Sequence, residues 1–201
     1  MRYLLTIIII IFLLESCKPK ADPLTKRTYT AEKIGWTINL PGEKWKMLSN
    51  EEFERLKIKS KKNGENSSDR AVDYPIIEQL ISFNKNKLNK FFSTIMPYDI
   101  TVDGDYDKSL TTMHEFLKYR YASDNVPAEH EMGATRIGGM MLDWFNTDVF
   151  SPGKEKRIKS ERMYSCLINN YFFSMTICYD NEKDRETLQN VVLSSKFAPV
   201  E

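Results

Sequence analysis

Between residues 129 and 179 apolar and polar residues alternate in runs broken only by Gly138-Gly139, Ser151-Pro152-Gly153 and Asn169-Asn170. Each break is hairpin chemistry, because Gly and Asn tolerate the positive φ that tight turns demand and Pro presets the turn's first dihedral. Strands are therefore predicted over Glu129–Ile137, Met140–Phe150 and Lys156–Ile168, with a further strand from Tyr171. Strands joined by such short turns are antiparallel. A two-residue loop at Asn169-Asn170 pairs Ile168 with Tyr171 and Cys166 with Phe173. Tyr164, Cys166, Phe173, Met175, Ile177 and Tyr179 then share one face, and Cys178 falls on the other, across from Glu161.

This register governs the cysteines. A disulfide needs Cα atoms within about 7 Å and facing Cβ vectors, so Cys166 and Cys178 are expected to stay unpaired, as small apolar filler in their strands. A nucleophilic cysteine would want a histidine beside it. The chain has two histidines, His114 and His130, and nothing in their spacing brings either to a thiol.

The remaining segments supply more strands and three helices. Ile34, Trp36, Ile38 and Leu40 alternate onto one strand face, which Pro41-Gly42 ends. Ser49-x-x-Glu52 is a capping box ahead of Phe53 and Leu56, and Lys59, Lys61 and Lys62 suit that helix's C-terminus. Asn63–Asp69 has loop composition. Ile76–Phe83 and Phe91–Tyr98 read as strands, joined by a polar turn. Over Tyr106–Ala122, Tyr106, Leu110, Met113, Leu117 and Tyr121 fall at helical spacing along one stripe able to cover a sheet. A last helix, Glu182–Ser195, offers Leu188, Val191 and Val192, with Asp180 or Asn181 as its cap. Phe172, opposite in face to Phe173, needs cover of its own, from a second helical layer or from a partner. The fold class expected is α+β: a largely antiparallel sheet flanked by helices.

No chemistry-bearing cluster is complete. Twenty-nine Lys and Arg balance 28 Asp and Glu to a net charge of +1, which gives no electrostatic case for nucleic acid or for acidic substrates. Asp103-Gly104-Asp105-Tyr106-Asp107 opens like a calcium loop, but Lys108 stands where the sharp turn needs glycine and His114 where a bidentate Glu is needed. Helix capping explains the same carboxylates. Ser151-Pro152-Gly153-Lys154 matches the Ser-x-x-Lys spacing of acyl-serine enzymes, yet its Pro-Gly makes a turn where the lysine would have to lie one helical turn away. His114-Glu115 and Glu129-His130-Glu131 lack a His-Glu-x-x-His or a cysteine pair at zinc spacing. No catalytic residue, no metal site and no cofactor are expected.

The N-terminus carries the address. The apolar run Tyr3–Leu14 is about twelve residues, whereas a helix crossing a bilayer needs roughly eighteen or more, and a run of this length suits the apolar region of a secretory signal. Leu14-Glu15-Ser16-Cys17 resembles the lipobox of bacterial lipoproteins, with Glu15 departing from its usual small or apolar residue. That resemblance implies a signal peptide over residues 1–16, removed before Cys17, and lipid on the Cys17 thiol and the new amine. Several acyl chains, at about 0.8 kcal/mol per buried methylene, hold a protein to a membrane without a spanning helix. Residues 17–28, with two prolines and little apolar material, are expected to form a flexible tether, and residues 29–199 a single domain. The absence of Asp at position 18 implies, by the same resemblance, the outer membrane facing the periplasm.

"IGWTINLPGEKWK", Ile34 to Lys46, a strand closed by Pro and followed by Trp45, resembles the entry of PsbP-like domains. The order of elements beyond it agrees, and the resemblance implies an α/β/α sandwich. Members of that group are chiefly noncatalytic, so no active-site residue carries over. A noncatalytic, lipid-anchored, monomeric binding or interaction domain of the bacterial cell envelope is expected, with a protein partner. The alternative is an envelope hydrolase or transferase whose ionisable groups would have to converge in a pocket.

Overall fold

The structure, a computed structural model, describes residues 24–48 and 77–199. The signal peptide, Cys17, most of the tether, the capping box at Ser49 and the loop at Asn63–Asp69 lie outside the described residues. Along the chain come β1 (Leu24–Ala31), a 3₁₀ turn (Glu32–Ile34), β2 (Trp36–Pro41), β3 (Lys46–Met47), β4 (Glu78–Asn84) and β5 (Lys90–Pro97). A single turn α1 (Ile100–Asp103) and the helix α2 (Tyr106–Ser123) follow. Then come β6 (Ala128–Ile137), β7 (Met140–Phe150), β8 (Arg157–Ile168), β9 (Tyr171–Tyr179), α3 (Glu182–Leu193) and β10 (Lys196–Phe197).

Seven strands form one antiparallel sheet in the order β3-β4-β5-β9-β8-β7-β6, and β1, β2 and β10 form a second, three-stranded sheet. The hairpins arise where the turn residues require them. Asn169 and Asn170 both take positive φ, 49° and 60°, and the β8–β9 register pairs Ile168 with Tyr171, Cys166 with Phe173 and Glu161 with Cys178. Gly138 and Gly139 turn β6 into β7 with φ of 56° and 90°.

Two departures from the sequence expectation stand out. The strand β1 starts at Leu24, inside the stretch read as tether, because Leu24 packs against the core and Thr25 Oγ1 donates to Leu40 O at 3.0 Å. Composition alone reported the prolines upstream and missed that pairing. Ile34 belongs to the 3₁₀ turn, which Gly35 closes in the left-handed region at φ 61°. The side chain of Ile34 is nonetheless buried beside Trp36, Ile38 and Leu40.

The two faces of the large sheet are covered differently. On one face lie α3 and the small sheet, over Phe91, Phe173, Met175 and Ile177, all fully buried. Asn181 caps α3 by accepting from Asp184 N at 2.9 Å, and Leu188, Val191 and Val192 go down into the core. Each contributes about 1.5–3 kcal/mol by burial. Trp36 packs on Phe173 and donates from Nε1 to Ser195 Oγ at 3.0 Å. Trp45, the far end of the entry motif, sits edge-on to Phe83, which stacks on Phe91.

The opposite face is covered by α2, whose buried positions are Leu110 and His114. Tyr106 packs against Phe172, which answers the need of that ring for cover from the second side. The sheet beneath α2 is rich in hydroxyls: Ser165, Ser174, Thr176 and Thr147 are all buried. Fewer apolar contacts hold this helix than hold α3, so α2 is the more weakly secured of the two layers.

Candidate functional site

The nucleophile candidates are not assembled for chemistry. Cys166 and Cys178 are buried and unpaired, on opposite faces of the sheet as the register requires. Burial, with the Asp143 carboxylate adding to it, pushes the Cys166 thiol up to about 12. Burial, with Glu161 adding to it, does the same to Cys178. A thiolate is the reactive form, so both groups are inert at neutral pH. Ser151 accepts from Lys156 N at 3.1 Å and Lys154 reaches Glu129 at 3.3 Å, so the Ser-x-x-Lys pair is spent on a turn and a surface ion pair.

The carboxylates Asp103, Asp105 and Asp107 do not converge either. Asp105 caps α2 by accepting from Lys108 N at 3.1 Å. Asp99 accepts from Thr101 N at 2.9 Å, and Asp103 Oδ2 in return accepts from Asp99 N at 2.7 Å. This reciprocal pair closes the α1 turn as a capping box does. Among the described residues no group of three or more His, Cys, Asp or Glu side chains is placed to hold a metal ion.

The two histidines, by contrast, are brought together, though not for catalysis. His114 stacks on Phe145 at 4.5 Å between ring centroids and 15° between planes, and His130 stacks on the same ring at 5.4 Å and 18°. Tyr121 closes the column at 5.8 Å from His130. His130 Nδ1 lies 3.1 Å from Thr147 Oγ1. Burial first, and the Lys118 ammonium second, hold both imidazoles below their ordinary value. Among the described residues neither ring is hydrogen-bonded to a thiol.

What the surface does offer is a set of exposed apolar side chains on α1 and α2. Ile100 and Val102 are 63% and 80% exposed, and Phe116 and Tyr119 are 62% and 70% exposed. Two shallow grooves meet at Asp103. One runs between Val102 and the Asn169-Asn170 hairpin beside Tyr171, the other along Met113 and Phe116. The α1 turn is held rigidly: Tyr98 Oη donates to Gly104 O at 3.0 Å, and Tyr98 N donates to Asn170 O at 2.8 Å. Asp99, Asp103, Asp105 and Asp107, all exposed, surround it, with Lys108 the one cation between residues 99 and 111.

Sequence reasoning read Asp103, Asp105 and Asp107 as caps and did not single out this surface. Phe116 and Tyr119 fall off the buried stripe of α2, which was a usable signal. Ile100 and Val102 carry none, since β-branched residues between aspartates fit a strand end equally well.

No family of known sequences matches this chain, and no curated protein matches it. Its fold is similar to that of cyanobacterial PsbP (CyanoP) from Synechocystis sp. PCC 6803, solved in solution, with a TM-score of 0.54 over 86% of this chain and 92% of that one. The two are 11% identical. The likeness is one of architecture: the α+β fold with its mostly antiparallel sheet is PsbP-like.

Proposed function

We propose that this protein is a noncatalytic docking module, held at the bacterial cell envelope by lipid on Cys17, and that the outer surface of α1 and α2 receives a protein partner. The observation that carries the reading is the rigid display of Ile100 and Val102 on a turn closed by Asp99 and Asp103. Exposed aliphatic side chains on a preorganised turn lose little entropy when covered, which is what makes a contact favourable on binding. Phe116 and Tyr119 extend the same character along α2. The four aspartates define the partner's chemistry by charge: a protein segment in which lysine or arginine flanks apolar side chains. The burial of both thiols and the engagement of Ser151 and Lys154 in a turn and a surface ion pair support docking over hydrolysis or group transfer.

A titration of the full chain in detergent micelles tests this. A synthetic peptide alternating lysine and leucine is expected to shift the backbone amides of Ile100, Val102 and Phe116, with binding that weakens as salt rises. Val102→Ser and Phe116→Ser should each weaken it about fivefold or more, as truncation of a central apolar contact does. Equal binding of the matching glutamate-leucine peptide, or shifts elsewhere only, would overturn the reading. Intact-mass analysis of the native protein tests the anchor separately: lipid on residue 17 is expected, and an unmodified thiol there contradicts it.

A further inference from the structure

We infer that α2 is latched to the sheet by its ring column, His114–Phe145–His130–Tyr121, and is released by acid. The chain has two histidines, one on α2 and one on β6, and both stack on the same phenyl ring. This pairing joins helix to sheet at the midpoint of α2, over a surface otherwise rich in hydroxyls. His114 is only 6% exposed, and its Nε2 has no hydrogen-bond partner among the described residues. A proton added there would place an unpaired charge in a buried site.

The groups around the two rings act on such a charge in both directions. From α2 itself, Lys118 opposes it at both rings, while Glu115 favours it at His114. From β7, Asp143 favours it at His114 and is engaged by Tyr106 Oη at 3.3 Å. Tyr121 closes the column at His130, and Glu161 on β8 and Cys178 on β9 act on Tyr121. The balance is against the cation at both rings, with burial the larger cause.

The sign follows. Both imidazoles are held below the ordinary value of 6.5, so a helix lifted off the sheet binds protons more readily than the docked helix does. Docking is fully favoured above about pH 6.5 and weakens as pH falls through and below it. Each imidazole contributes up to about a tenfold rise in the opening equilibrium per pH unit.

Amide hydrogen exchange of the full chain between pH 7.5 and 5, corrected for intrinsic rates and with no partner present, tests this. The α2 amides are expected to show an opening equilibrium that rises as pH falls below about 6.5, with a slope of at most about two protons, while those of α3 stay flat. His114→Phe keeps the stack and the burial and should remove the His114 share of the slope. His130→Asn keeps a hydrogen-bonding group for Thr147 and should remove the other. An α2 slope equal to that of α3, or one unchanged in the double variant, overturns the inference. Since Phe116 and Tyr119 ride on α2, acid would also dismantle the docking surface, a consequence that rests on the proposed function; the exchange slopes stand or fall without it.

Discussion

Cys178 lies directly opposite Glu161 across the β8–β9 ladder, whereas Cys166 lies opposite Phe173. The two thiols therefore emerge from opposite sides of one sheet, each buried. Both should resist alkylation at pH 7.5 in the native state and react fully in urea, as followed by mass spectrometry. Cys166→Ala, which removes a small core side chain, should cost about 1 kcal/mol in urea melts. Rapid native labelling of either site would mean that the strand pair opens easily.

Gly138 and Gly139 make a matched test of the β6–β7 turn. A Cβ on Gly138 would fall within 2.3 Å of Ser195 O, while one on Gly139 meets nothing within 4 Å. Both residues have positive φ, so Gly139→Ala carries conformational strain alone, about 1 kcal/mol. Gly138→Ala must also push the link from α3 to β10 away and should cost at least about 2 kcal/mol. Urea midpoints at constant m-value give the comparison.

Lys85 and Asp184 tie the β4–β5 turn to the first turn of α3 at 2.6 Å. Asp184 is 2% exposed and also accepts from Asn181 Nδ2 at 2.9 Å. Lys85→Met strands a buried carboxylate and should destabilise by about 3 kcal/mol, more than a surface ion pair is worth. A double-mutant cycle with Asp184→Asn measures the coupling, and independence of the two changes would show that the pair contributes nothing.

The β-rich half was legible in the sequence because turn residues there fix register. Asn169-Asn170 left one two-residue hairpin, and from it the faces of Cys166, Cys178 and Phe172 followed. The α2 stripe was legible for the same kind of reason, periodicity of 3.6 against a sheet. Where pairing depends on distant residues, local pattern failed: nothing around Leu24 announces a strand, since its partner is Pro41. The His114–Phe145–His130 column was hidden for a related reason. His114 falls on the buried stripe, four residues after Leu110, but the ring it meets is set by how α2 crosses the sheet. The surface of Ile100 and Val102 was invisible because exposure is a property of the packed fold.

In whole cells, a photoreactive residue at Val102, at Phe116 or, as a control on the opposite layer, at Asn190 tests the docking claim most directly. The first two positions should crosslink the same protein, through a peptide in which lysine or arginine flanks apolar residues, and Asn190 should not. Crosslinks through an acidic peptide, or equal capture from Asn190, would contradict it.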